Sequence, residues 1–101
     1  MLHFTKHARE KMNVRRINIR TIEEVLNRPE HRFYDTLRNS EVLARRVMLR
    51  DEVITMVVAF TRRNGDYTII TVYPSKQFEE EVDRKVKSGR WVIIKGGTYE
   101  G

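Results

Sequence analysis

Over the first 28 residues, apolar side chains recur three or four positions apart. From His31 to Tyr73 they alternate or run unbroken, and after Pro74 they return to a spacing of four. This succession of periods predicts two helices, a set of strands and a last helix. Leu2–Phe4 reads as a short extended lead-in. Thr5 is a cap for a first helix from about Lys6 to Asn13, with Ala8 and Met12 as its apolar stripe. Val14 and Ile17 are expected to continue the inward-facing pattern. Asn18 caps a second helix. Ile17 before that cap and Ile22 within the helix have the spacing of a hydrophobic staple, and Ile22, Val25 and Leu26 form the buried stripe. Pro29 ends this helix at about Arg28, because its ring disfavours helical geometry in the residue before it.

The strands follow closely on one another. Arg32–Tyr34 and Glu41–Leu49 are candidates. Val53–Phe60 is apolar at almost every position, which marks a central strand covered on both faces. Asn64-Gly65 is a hairpin turn, and Tyr67–Tyr73 is the returning strand, so the meander is antiparallel. Thr71 and Tyr73 are expected to share a face with Tyr67 and Ile69. Phe78, Val82 and Val86 give the last helix, about Lys76–Lys87, a narrow stripe that Gly89 stops. Arg90–Ile94 reads as a final strand, and Lys95–Gly101 as a mobile tail with little to bury. The expected architecture is one domain over residues 1–94. It is α+β, with the N-terminal helices and the C-terminal helix packed on one face of an antiparallel meander.

Charge adds a direction to this picture. The chain carries a formal net charge of +6. Residues 1–50 hold 12 Lys/Arg against 6 Asp/Glu, and residues 51–101 hold 8 against 8, so all the excess lies in the first half. A concentrated positive field draws in polyanions. Cysteine is absent, which excludes disulfides and thiolate chemistry. No apolar run approaches the length of a membrane helix and no signal peptide is visible, so no membrane partner and a cytoplasmic location are expected. No glycine-rich phosphate loop or nucleophile elbow occurs. His3, His7 and His31 lack the spacing of a zinc site. Nothing in the sequence calls for a cofactor.

The string His7-Ala8-Arg9-Glu10-Lys11-Met12, then Arg16-Ile17-Asn18, Val25-Leu26-Asn27-Arg28-Pro29 and finally Thr71-Val72-Tyr73, resembles the domain of unknown function 4258 family. The resemblance covers about residues 3–74. Asn18 stands where the family usually has Ser, a change between two good caps. The segment Asp35–Ser40 is more irregular than the pattern. The resemblance implies a fold shared with barnase, RelE toxins, colicin-type tRNases and EndoU-like nucleases. It also implies a toxin of a type II toxin–antitoxin pair, with RNA, ribosome-associated or free, and a small acidic antitoxin as partners.

Metal-independent RNA cleavage requires a group to take the 2′ proton, a group to protonate the departing 5′ oxygen, and cations to hold the phosphoryl charge. Imidazole and guanidinium suit these roles. His7 is the first candidate, with Lys11 one turn later on the same helix face. Arg45 and Arg46 interrupt an apolar strand and point to opposite faces. Arg46, on the side of Val42, Ala44 and Met48, is the expected phosphate binder, although both arginines also suit a snorkelling edge strand. Thr71 is a supporting donor and Tyr73 a stacking or hydrogen-bonding partner, in positions where strands favour Thr and Tyr anyway. Arg9, Arg15 and Arg16 widen the positive field near His7, and Lys6, Lys11, Arg15, Arg16, Arg45 and Tyr73 are the expected RNA-binding residues. The expectation is therefore a ribonuclease with His7, Arg46 and Thr71 as its catalytic set. The alternatives are a catalytically silent RNA- or ribosome-binding module, or an interaction protein for an acidic partner.

Overall fold

The computed structural model describes residues 1–94. The tail expected at 95–101 lies outside the described residues. The chain runs β1 (Leu2–Phe4), α1 (Lys6–Arg15), α2 (Ile19–Asn27), β2 (His31–Asp35), β3 (Ser40–Leu49), β4 (Glu52–Arg63), β5 (Asp66–Ser75), α3 (Phe78–Lys87) and β6 (Trp91–Ile93). These strands form one six-stranded sheet in the order β1-β5-β4-β3-β2-β6. All neighbours are antiparallel except β1, which joins β5 in parallel. The α+β class stands.

The β3–β4 and β4–β5 turns each put two consecutive residues at positive φ. Asn64 and Gly65 do so as the Asn-Gly pair predicts, and Arg50 and Asp51 do so between β3 and β4 without a glycine. Asn18 caps α2 as expected, accepting from the Thr21 amide at 3.0 Å, and Arg28 closes that helix ahead of Pro29.

One expectation about layers is overturned. The helices do not share a face. Ala8, Ile17, Ile22 and Val25 from α1, α2 and their junction pack with Leu43, Val47, Met56, Val58, Phe60, Ile69 and Val72. The α3 stripe of Phe78, Val82 and Val86 packs against Phe33, Val42, Ala44, Val57, Ala59 and Trp91. Val57 and Val58 are successive residues of β4, so the two clusters lie on opposite faces. The Met56–Phe60 stretch of β4 is apolar throughout because both of its faces are covered there. Val14 also departs from expectation. It is 80% exposed, while Ile17, three residues on, is buried. Between them Arg16 adopts φ 55°, ending α1 in a left-handed cap and turning the chain back to the core.

The sheet has an irregularity that decides where the site lies. Phe60 faces Ile69 and Ala59 faces Thr71, leaving Ile70 as an extra residue in β5. This bulge reverses the alternation of side chains beyond it. Tyr67 and Ile69 belong with the α1–α2 face, whereas Tyr73 belongs with the α3 face. The expectation that Thr71 and Tyr73 share a side with Tyr67 and Ile69 fails for this reason. A period-2 reading has no means of locating an inserted residue in the unbroken run Ile69-Ile70-Thr71-Val72.

A candidate anion-binding bowl

Thr5 ties the first helix to the bulge. Its amide donates to the Ile69 carbonyl at 3.0 Å. Its Oγ1 donates to the Ile70 carbonyl at 3.1 Å and accepts from the Ala8 amide at 3.1 Å. The helix therefore starts at the irregular point of β5 and runs beside the strand that carries Thr71. With Ala8 fixed in the core, His7 and Lys11 project along the other side of α1, toward the α3 face of the sheet.

They meet a cavity of about 450 Å³. Its floor is Val42, Val57, Ala59 and Thr71. His7, Lys11 and Arg15 form one wall. Arg38, Arg90 and Lys85 form the other, with Tyr73 and Trp91 between. Five cationic side chains and one imidazole thus face a single carboxylate, that of Asp35. Small apolar floor residues make the depression, and long basic side chains rim it.

Two acidic side chains hold the far wall in place. Asp35 is buried, and its Oδ1 accepts from the Leu37 and Arg38 amides and from Arg90 Nε, each at 3.0 Å. Burial works against its charge. The Arg90 guanidinium and the two amides outweigh that and keep the carboxyl below its ordinary range. Thr36 adds bonds to the Gly89 and Arg90 carbonyls, fixing the approach to β6. Glu81 is the second anchor. It accepts from the Tyr73 hydroxyl, from Ser75 Oγ at 2.8 Å and from Lys85 Nζ at 3.1 Å. Burial opposes its ionisation too, and these three donors reverse the balance, so its pKa is lowered. The Tyr73 phenol is pushed well up, first by burial and then by its bond to the Glu81 carboxylate. Its proton is thereby committed to α3 while its ring lines the bowl. Lys85 Nζ also lies 4.5 Å from the centre of the Trp91 ring. The Trp91 indole N–H is buried without an acceptor among the described residues.

Of the residues singled out from sequence, His7, Lys11, Arg15, Thr71 and Tyr73 line this bowl. Arg46 does not. Its side chain is 70% exposed and forms a two-pronged pair with Glu30, at 3.1 and 3.0 Å, beside a separate depression. Arg45 turns to the opposite face, to Glu24 at 3.4 Å and the Arg28 carbonyl at 3.1 Å. Arg16 lines a third depression with Phe4, Arg9 and Met12. Lys6 is exposed at the start of α1. The three histidines are separated: His3 lies 3.7 Å from Asp66, and His31 packs on Phe33 and Phe78.

Sequence reasoning missed Asp35, Arg38, Lys85, Arg90 and Trp91. The signals were slight. One was the irregular Asp35–Ser40 segment, where an Asp accepts from the amides two and three residues on, of Leu37 and Arg38. The other was the chain's one tryptophan, next to an arginine just after Gly89.

The elements thus define an α+β protein with a cationic depression on the α3 face of its sheet. The family model described as "Domain of unknown function (DUF4258)" matches residues 4–74, and the chain belongs to that family. The match ends before Lys85, Arg90 and Trp91, which complete the bowl from α3 and the start of β6. No curated protein and no solved structure matches the chain. No helix of the described residues is long and apolar enough to cross a membrane.

Proposed function

We propose that the bowl binds RNA and that the protein is a metal-independent ribonuclease, the toxin of a type II toxin–antitoxin pair. The observation carrying this reading is the convergence of His7 with Lys11, Arg15, Arg38, Lys85 and Arg90 over Thr71. In the reaction the ribose 2′ oxygen attacks its own phosphorus and the bond to the 5′ oxygen breaks. The products are a 2′,3′-cyclic phosphate and a free 5′-hydroxyl. His7 takes the 2′ proton as the new P–O bond forms, and the departing 5′ oxygen takes its proton from solvent water. The basic side chains on the two walls hold the phosphate charge, and the Thr71 hydroxyl donates to a phosphoryl oxygen. The α+β arrangement supports the RelE/barnase-like assignment in a general way. A small acidic antitoxin suits the same cations and would silence the site by covering them.

Purified protein incubated with tRNA and mRNA in chelator tests the reading. The expected result is cleavage with cyclic phosphate ends. His7→Ala, with its circular dichroism unchanged, should slow cleavage by about 100-fold or more.

A second reading has its own support. The bowl holds one imidazole, and the Tyr73 hydroxyl is engaged by Glu81, so no second proton-transfer group stands ready. On that ground the protein is an RNA- or ribosome-binding module without catalysis. Intact RNA, bound with an affinity that falls steeply with salt, would decide for the module and against the nuclease.

A further inference from the structure

The cations around the bowl differ in what else they hold. Lys85 is engaged, donating to Glu81 at 3.1 Å and lying over the Trp91 ring. The side chains of Lys11, Arg15 and Arg38 have no hydrogen bond or ion pair among the described residues, so only their long stems tether the charged heads. Arg90 is a third case. Its Nε donates to Asp35 at 3.0 Å, and neither terminal nitrogen has a partner among the described residues.

The surrounding chain explains how that side chain is fixed. α3 is closed by Gly89, which adopts φ 79°. The Gly89 amide donates to the Val86 carbonyl at 3.0 Å and the Arg90 amide to the Lys85 carbonyl at 2.9 Å, the two bonds of a Schellman motif. The glycine thus sets the point where Arg90 leaves the helix. The Arg90 carbonyl is taken in turn by the Thr36 amide at 2.9 Å. Asp35 is itself immobilised, because the Leu37 and Arg38 amides hold the same oxygen that Arg90 Nε uses. The Arg90 side chain is 28% exposed and lines the depression. Its charge also reaches the bowl's Tyr73: burial and the bond to Glu81 push that phenol up, and the Arg90 guanidinium works against them.

We infer that Arg90 is the phosphate fork of the bowl, its two terminal nitrogens donating to two oxygens of one phosphoryl group, with Asp35 as its positioning residue. A planar guanidinium anchored through Nε presents its free edge in one orientation, and that edge matches a pair of phosphate oxygens. Lys11, Arg15 and Arg38 supply field without orientation and draw the polyanion in. The inference rests on reading the bowl as an anion site, and not on catalysis.

Nitrogen-edited NMR titration with inorganic phosphate at low ionic strength tests it, following the Arg90 Nε–H and Trp91 indole signals. Arg90→Lys keeps the charge and removes the fork. It should weaken phosphate binding by about tenfold or more, whereas Arg38→Lys should cost about threefold at most. Asp35→Asn separates position from charge. It removes the one carboxylate of the bowl, so charge alone calls for tighter phosphate binding. Loss of the anchor calls for the opposite, and binding about fivefold weaker is the expected result. Thermal melts accompany each variant; should Asp35→Asn fail to fold, the comparison of Arg90→Lys with Arg38→Lys decides alone. Equal losses at Arg90 and Arg38 overturn the inference, and so does tighter binding by a folded Asp35→Asn or a wild type that shows no phosphate-dependent shift. RNA cleavage by the wild type and equally by Arg90→Lys would also overturn it and leave the nuclease reading standing. Uncleaved RNA, with phosphate binding still dependent on Arg90 and Asp35, would support the fork and remove the nuclease.

Discussion

The two depressions on either side of α3 are built from the same strands and have opposite character. Ala59–Thr71 and Val57–Tyr73 floor one, and Thr55 and Ser75, the pair toward the β3–β4 turn, line the other. The first gathers basic side chains from α1, the β2–β3 loop, α3 and the turn before β6. The second has Glu30, Glu52, Glu79, Glu80 and Asp83 around it, with Glu30 already held by Arg46. The Glu81 carboxylate lies between them, bonded to Tyr73 from the first floor and to Ser75 from the second. A net charge of +6 therefore describes neither depression. What counts is which segments the fold brings to each side of one helix.

The largest expected effect comes from removing that divider. Glu81→Ala leaves the Tyr73 hydroxyl, Ser75 and Lys85 without their shared acceptor. It should destabilise the protein by about 3 kcal/mol in urea denaturation. Both depressions should suffer together; a loss confined to RNA affinity would show that Glu81 does not anchor α3. The contrast in charge is tested next. Lys11→Ala and Arg38→Ala, from the two walls of the bowl, should each weaken RNA binding roughly 5- to 10-fold at low salt. Arg46→Ala should leave binding within about twofold, and a larger loss there would move the RNA path to the acidic side. Caps sharpen the comparison further. Thr5→Ala and Asn18→Ala should each cost about 1 kcal/mol in thermal melts. Only Thr5→Ala should also lower RNA affinity, because only Thr5 holds the bulge that aims Thr71. The smallest effect concerns acid. Arg46 holds the Glu30 carboxyl down from 4.5 to about 2, first through their side-chain bonds. Asp35 and Glu81 are also held below their ordinary ranges. Such groups stabilise the fold fully above their unfolded pKa values and lose that contribution as pH falls through the folded ones. Unfolding free energy should thus be level above the carboxylate range and decline from about pH 4.5 toward 2. Glu30→Gln should flatten part of that decline when urea melts are compared at several pH values.

Local features were legible in the sequence, and long-range ones were not. The Asn18 cap, the Ile17–Ile22 staple and the Asn64-Gly65 turn depend on neighbours within a few residues, and each appears as read. The face chosen by α3 does not follow from Phe78, Val82 and Val86. Their spacing shows that the helix buries a stripe, while its side of the sheet depends on Tyr73 and Ser75 reaching Glu81. The bulge at Ile70 adds a residue without any change in composition. The candidate site divides in the same way. His7 and Lys11 share a helix face and could be paired in advance. Arg38, Lys85 and Arg90 come from three other segments and join them only through tertiary packing. Arg46 matched the expected chemistry, and a nearby glutamate took up its guanidinium.

The parallel pairing of β1 with β5 also sets an order of events. Leu2 lies opposite Tyr67, and the Thr5 hydroxyl reaches the Ile70 carbonyl, 65 residues along the chain. During synthesis the first helix cannot dock on β5 until the β4–β5 hairpin has left the ribosome, and Arg90 emerges later still. Contacts spanning so much of the chain close slowly and late. A nascent chain stopped before Lys85 would therefore lack Lys85, Arg90 and Trp91 from the bowl, so the cavity is complete only after those residues have been made.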